Sequence, residues 1–196
     1  MKPAVRTALL ALVAATGAAA SASALAHPSA AHAIAATATG LGEQALAGFA
    51  HPFTGFDHLL AMTAAGIWSV RQPQGAHLPK VFLAAMLLGA LGGVAGVTVP
   101  GLETGIAATV ALIGALIAMA ARLPAMAGAV MVAAFAVLHG NAHGHELPQV
   151  ASAAGFLAAS ALLMAAGRWF GRAAEGGMVR AAGAGIAATG MLMLAA

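Results

Sequence analysis

The sequence predicts an all-α protein of the membrane: a bundle of six transmembrane helices that follows a cleaved signal peptide. Of its 196 residues, 62% are hydrophobic and only 7% are charged, whereas soluble domains usually carry about 25% charged residues. Apolar stretches close to the ~20 residues that span a bilayer recur along the chain. Alanine and glycine dominate them, and because small residues let helices approach closely in lipid, we expect a tight bundle. The few basic residues are scattered, which argues against a nucleic-acid partner and leaves membrane lipid as the main surroundings.

The first 26 residues have the pattern of a signal peptide. Lys2 and Arg6 precede a short apolar run at 8–20, and Ala24-Leu25-Ala26 forms an A-x-A cleavage site. The alternative is an uncleaved first transmembrane helix, but the apolar run is shorter than a span requires. We therefore expect a signal peptide at 1–26 and a mature transmembrane domain at 27–196 that begins with His27.

Clusters of glycine, proline and charge divide the mature chain into six apolar segments. Such clusters end helices. The predicted spans are 54–71, 80–97, 104–121, 123–140, 149–168 and 178–195. Residues 42–50, ahead of the first span, are compatible with a short interfacial helix.

The basic residues test the topology independently. If the mature N-terminus lies outside the cytoplasm, the loops at 71–80, 122–124 and 168–177 face the cytoplasm, as does Arg180 at the start of the last span. Every basic residue of the mature chain then lies inside: Arg71, Lys80, Arg122, Arg168, Arg172 and Arg180. This satisfies the positive-inside rule. We expect a multi-pass protein of a bacterial inner membrane, with most of its histidines and acids on the periplasmic side.

A first polar cluster, His51-Pro-Phe-Thr-Gly-Phe-Asp57-His58, opens the first predicted span. Proline is tolerated in the first turn of a helix, so the helix is expected to begin near His51 and to place Asp57 and His58 about one turn inside. A central aspartate costs about 2.5–3.5 kcal/mol on insertion scales, which favours a partner or a bound cation. Asp57 would serve as a ligand or would orient a ligating His58. The alternative is a hydrogen-bonded pair with a purely structural role.

A second polar cluster, His139-Gly-Asn-Ala-His143-Gly-His145-Glu146, closes the fourth span. On a continuous helix His139, His143 and Glu146 share one face, and two histidines four residues apart can bind one metal ion. Alternatively, the glycines at 140 and 144 loosen the helix and free backbone carbonyls, or the segment is a hydrated loop. His145 and Asn141 point elsewhere and would form an entry or exit relay.

If the first and fourth spans pack together, both clusters contribute to one site of imidazole and carboxylate. Imidazole suits Ni, Co, Cu and Zn, and the absence of cysteine excludes a thiolate site. The expected metal ligands are His51, Asp57, His58, His139, His143 and Glu146. Secondary ligands are expected at His145 and at His27, whose free amine and imidazole would chelate together after cleavage.

At these residues the sequence resembles the HupE/UreJ family of nickel and cobalt permeases and accessory proteins. HPFTGFDH at 51–58, followed by LLAM, matches that family's HPxxGxDH motif, and LHGNAHGHE at 138–146 matches FHGxAHGxE with Leu138 in place of phenylalanine. The resemblance covers essentially the whole mature chain. It implies uptake of Ni(II) or Co(II) by six spans, a metal-linked role for the six residues above, and delivery to hydrogenase, urease or cobalamin assembly proteins.

The function expected from the sequence is therefore an ATP-independent permease, because the chain has no Walker motif. It is not expected to be an enzyme. The alternative is a membrane-embedded metal-dependent hydrolase, because the HxxxH pair with Asp57 and His58 resembles the zinc sites of ceramidase-like proteins. A third possibility is a metal-binding accessory protein or sensor without flux.

Overall fold

The computed structural model describes residues 40–196, in which all of the regular secondary structure is α-helical. The predicted signal peptide and His27 lie outside these residues. The helices are α1 (Leu41–Thr54), α2 (Phe56–Ser69), α3 (Leu78–Val94), α4 (Leu102–Ala118), α5 (Ala125–Glu146), α6 (Val150–Ala173) and α7 (Gly176–Ala195).

Helices α2 to α7 correspond one by one to the six predicted apolar segments. Three of them, α5, α6 and α7, are long and apolar enough to cross a membrane, while α3 and α4 are shorter apolar helices of 17 residues each. Helix α1 coincides with the predicted interfacial segment but is longer. The predicted class, an all-α protein with membrane-type helices, is confirmed.

The prediction that the helix of the first span, 54–71, begins near His51 is wrong. His51 and Pro52 lie in the last turn of α1. The chain then breaks at Gly55, which has an extended conformation (φ −82°, ψ 108°), and α2 starts at Phe56. Pro52 removes only one backbone donor from a helix already formed upstream, so the helix continues through it to Thr54. Asp57 and His58 consequently open a new helix.

The second polar cluster lies within a continuous helix, since α5 runs unbroken to Glu146, so the predicted span end at residue 140 is wrong. The hypothesis that glycines loosen this helix is wrong as well. A Cβ at Gly140 would collide with the Met86 carbonyl of α3, and one at Gly144 with the Ala90 carbonyl. These glycines permit close packing of α5 on α3.

Glycine contacts of the same kind join the other helix pairs. Gly66 of α2 lies against the Met164 carbonyl of α6, and Gly114 of α4 lies against the backbone of Ala187 in α7. Helix α6 packs its first turns on α1 and its later turns on α2. The expectation of a tight bundle built on small residues is confirmed. The largest fully buried side chains include Trp68, Phe82, Met86, Phe156 and Met164.

The loops that hold basic residues lie together at one end of the bundle. Gln72, between α2 and α3, donates a hydrogen bond of 3.0 Å to the carbonyl of Ala121, between α4 and α5. Arg168, near the end of α6, donates a bond of 2.9 Å to the carbonyl of Gly75. The loops that hold basic residues therefore share one end of the bundle, as the charge pattern predicts.

Candidate metal centre

Four metal-ligating side chains from three helices meet at the opposite end of the bundle. His51 comes from the last turn of α1, His58 from the first turn of α2, and His143 and Glu146 from the end of α5. Each offers one nitrogen or oxygen atom, and these four atoms all lie within 4.8 Å of one another. We call these residues the four-donor group.

The three histidine rings of the four-donor group are almost completely enclosed. Their exposed fractions are 3% for His51, 4% for His58 and 0% for His143. The His58 and His143 ring centroids are 4.5 Å apart, and those of His51 and His143 are 5.0 Å apart. Nε2 of His51 lies 2.8 Å from Oε2 of Glu146, so α1 and α5 are joined directly through two of the four donors.

Asp57 holds the ring of His58. Nδ1 of His58 lies 2.8 Å from Oδ1 of Asp57. With Asp57 ionised, Nδ1–H is the donor, which leaves the lone pair of His58 on Nε2. That atom is buried and has no hydrogen-bond partner among residues 40–196. The pair therefore has the carboxylate–histidine arrangement that fixes the tautomer of a metal ligand, and Asp57 itself stands outside the four-donor group.

His143 lies at the centre of the cluster and is oriented by packing. Its ring stacks on Phe156 of α6 with centroids 4.4 Å apart and planes 8° apart. Neither of its ring nitrogens has a hydrogen-bond partner within the described part of the chain. A buried polar atom without a partner costs about 1–3 kcal/mol, so a site that keeps several such nitrogens is suited to a ligand that they bind.

His139 lies one helical turn before His143, further from the end of α5. Its Nδ1–H donates to the Phe135 carbonyl at 2.9 Å, and its buried Nε2 has no partner within residues 40–196. The ring centroid is 5.3 Å from that of His58. His139 is thus a neighbour of the four-donor group that reaches His58 from the interior side.

The two remaining polar residues of the second cluster bind the loop between α3 and α4. Asn141 donates from Nδ2 to the Val97 carbonyl at 2.9 Å, and Nε2 of His145 lies 3.0 Å from the same oxygen. His145 is exposed while Asn141 is buried. Their contacts fix a loop beside the site, and the secondary ligand role expected for His145 stays a prediction, as does that of His27 outside the described residues.

The predicted residues come together where the histidine-bearing ends of the first and fourth predicted spans, α2 and α5, meet. Helix α2 packs on α6 and α4, and α5 packs on α3, so the first and fourth spans touch mainly through their histidine-bearing ends. Sequence reasoning did not single out Phe156, because a lone phenylalanine in an apolar helix carries no signal. Glu103, an exposed residue in the first turn of α4, is close enough to interact electrostatically with Asp57 and His58.

The donor set fits a divalent transition ion. Bond lengths of about 2.1 Å place tetrahedral ligand atoms roughly 3.4 Å apart, which lies between the 2.8 Å of the His51–Glu146 pair and the 4.8 Å limit of the group. Imidazole and carboxylate suit Ni, Co and Zn, and the chain has no cysteine. The enclosed histidines would form most of the coordination shell, and Asp57 and Phe156 would hold them in place.

Comparison with known proteins identifies the family of this chain. A sequence model of the HupE / UreJ protein family matches residues 10–193. Protein HupE from Rhizobium leguminosarum bv. viciae is 39% identical over 183 residues, an alignment that covers 87% of this chain and 93% of that protein. No solved structure matches the chain. On the extent of both matches, the chain belongs to the HupE/UreJ family.

Proposed function

We propose that this protein is an ATP-independent permease that takes up Ni(II) or Co(II) from the periplasm into the cytoplasm. One observation carries the proposal: three histidines and a glutamate from three separate helices place their donor atoms within 4.8 Å of one another in an enclosed site. Membership of the HupE/UreJ family, associated with nickel and cobalt uptake, supports the same function. The metal would then supply hydrogenase, urease or cobalamin assembly through delivery proteins.

The proposed topology has six spans in the inner membrane, formed by α2 to α7, after removal of residues 1–26. The 17 residues of α3 and of α4 extend about 26 Å at 1.5 Å per residue, close to the ~30 Å hydrocarbon core. Helix α1 would lie at the periplasmic surface, where its last turn delivers His51. The clustering of basic loops at the other end of the bundle supports this orientation.

The four-donor group would be the capture site for the incoming ion. In the proposed topology its position at the end of α1, the start of α2 and the end of α5 would lie near the periplasmic surface. His139, one helical turn before His143 and deeper in the bundle, would offer the next nitrogen on the route inward. A divalent ion that enters a negative cytoplasm gains about 4.6 kcal/mol at 100 mV, from about 2.3 kcal/mol per charge, so transport needs no nucleotide.

Transport by the purified protein tests the proposal directly. The mature chain would be reconstituted in sealed liposomes that contain a metal-sensitive dye, and the entry of Ni(II), Co(II) and Zn(II) followed with an inside-negative potential. We expect Ni(II) or Co(II) flux that His143→Gln abolishes. His77→Gln is the matched control, because His77 precedes α3 at the opposite end of the bundle. Flux that is equal in wild type and His143→Gln would refute the proposal.

The same preparation distinguishes the two alternatives. A metal-dependent hydrolase would retain stoichiometric Zn(II) through purification and would cleave a lipid amide without metal flux. An accessory protein would bind Ni(II) in a titration, yet would give no entry into liposomes with any of the three metals. Either result would replace the permease proposal.

A further inference from the structure

A second site is formed at the end of the bundle opposite the histidines. A small cleft of about 50 Å³, partly open to the outside, lies between the end of α2, the end of α4 and the start of α7. Trp68, Leu116 and Val179 contribute apolar wall, and Arg71 and Arg180 line the same cleft. An apolar groove with two guanidinium groups at a bundle end is suited to a ligand with a hydrocarbon part and an anionic part.

Both arginines retain unused hydrogen-bonding capacity. Arg180 donates from Nε to the Ala118 carbonyl at 2.8 Å, which fixes its position and leaves its terminal amino groups available. The guanidinium of Arg71 makes no hydrogen bond within residues 40–196, and only its backbone N–H donates, to the Trp68 carbonyl. No salt bridge joins either arginine to a carboxylate in that part of the chain. Two unpaired positive charges therefore line one cleft.

The start of α7 adds to the positive potential. Gly176, the first residue of this 20-residue helix, lines the cleft, and the preceding Glu175 makes no side-chain capping bond. No atom of residues 40–196 lies within 4 Å of a Cβ built at Gly176 or Gly177, so this first turn of α7 is open beside the cleft. Exposed amides at the N-terminus of a helix attract an anion. This amide group and the two arginines converge on one place.

We propose that this cleft binds an anionic phospholipid of the adjacent leaflet, with its phosphate between Arg71 and Arg180 and an acyl chain leaving over the open side of the apolar wall. Guanidinium groups match phosphate oxygens geometrically, and basic pockets between transmembrane helices bind anionic headgroups. The apolar wall favours a lipid over a free phosphate ion. The proposal requires only that the protein lies in a membrane, so it stands or falls independently of metal transport.

Quenching of Trp68 by brominated lipids tests the proposal. The chain has two tryptophans, and Trp169→Phe leaves Trp68 as the sole reporter at the cleft. The full chain would be placed in phosphatidylcholine vesicles with increasing fractions of brominated phosphatidylglycerol or, in parallel, of brominated phosphatidylcholine. At about fivefold per arginine, we expect half-maximal quenching at a roughly 30-fold lower fraction of the anionic lipid.

Substitutions assign the preference to the cleft. Arg71→Gln should remove about fivefold of it, and Arg71→Gln with Arg180→Gln should remove nearly all, while the matched control Arg122→Gln keeps it because Arg122 does not line the cleft. The Arg71 side chain makes no hydrogen bond or salt bridge within residues 40–196, so the single variant is expected to fold as the wild type does. Equal quenching by both lipids, or a preference that survives the double substitution, would overturn the proposal. Loss of the preference in excess inorganic phosphate would indicate a free-phosphate site instead.

Discussion

Asp57→Asn distinguishes a carboxylate that orients a ligand from one that binds the metal. Asparagine has nearly the same size and keeps an oxygen that can accept the 2.8 Å hydrogen bond from Nδ1 of His58. It loses the negative charge that strengthens this bond. If Asp57 acts through His58, the substitution weakens metal affinity by 10–100-fold, the usual effect of losing such an outer partner. That range corresponds to about 1.4–2.7 kcal/mol.

Calorimetric titration of Ni(II) into the purified protein measures this change. The matched control is Glu103→Gln, which removes one negative charge near the same group but no hydrogen bond to a ligating histidine. We expect the control to weaken binding clearly less than Asp57→Asn. His58→Gln, which removes a donor, sets the lower limit of affinity.

Two results would refute the reasoning about Asp57. An affinity as low as that of His58→Gln would make Asp57 a direct ligand, and the four-donor group would be incomplete without it. An affinity equal to that of Glu103→Gln would mean that the hydrogen bond to His58 contributes nothing beyond local charge.

Three further predictions follow from the packing and chemistry of the site. Phe156→Leu removes the ring stacked on His143, and such aromatic pairs contribute about 0.5–1.5 kcal/mol, so Ni(II) affinity in the same titration should fall roughly two- to tenfold. The control Phe170→Leu, at the far end of α6, should leave the affinity unchanged. Gly140→Ala forces α5 away from α3 and should lower the free energy of unfolding by about 1–3 kcal/mol, measured by denaturant titration with tryptophan fluorescence. Gly185→Ala is the control, because a Cβ at Gly185 meets open space, and an equal effect of both substitutions would contradict the close-packing role of Gly140. Ni(II) affinity should fall as the pH is lowered below about 6, because a proton competes for each ligating imidazole. An affinity that does not change between pH 5 and 7.5 would exclude histidine ligation.

Much of the fold could be predicted because it depends on local properties of the chain. Apolar segments bounded by glycine, proline and charge are visible without coordinates, and each of the six became a helix. The spacing of His139, His143 and Glu146 also predicted one helical face, since three- and four-residue separations have only one geometric meaning within a helix. That relation holds in α5 as the structure has it.

The errors arose where one signal fits two structures. Proline is tolerated both in the first turn of a helix and near its end. In the structure α1 forms upstream of Pro52 and packs on the start of α6, so Pro52 lies near the end of that helix. Gly140 and Gly144 suit a loosened helix or a closely packed one. Only the position of the Met86 and Ala90 carbonyls in α3 shows that they are packing residues.

The sequence by itself determined the membrane-type helices, the grouping of charge by loop, and which residue types are available for a metal. The assembly of the four-donor group was decided by tertiary structure. His51 reaches Glu146 only because α1 packs on α6 and the chain turns at Gly55, and the stacking of His143 depends on Phe156 of another helix. These contacts join residues far apart in the chain, and their distances are set by how closely helix backbones approach, which no local pattern specifies.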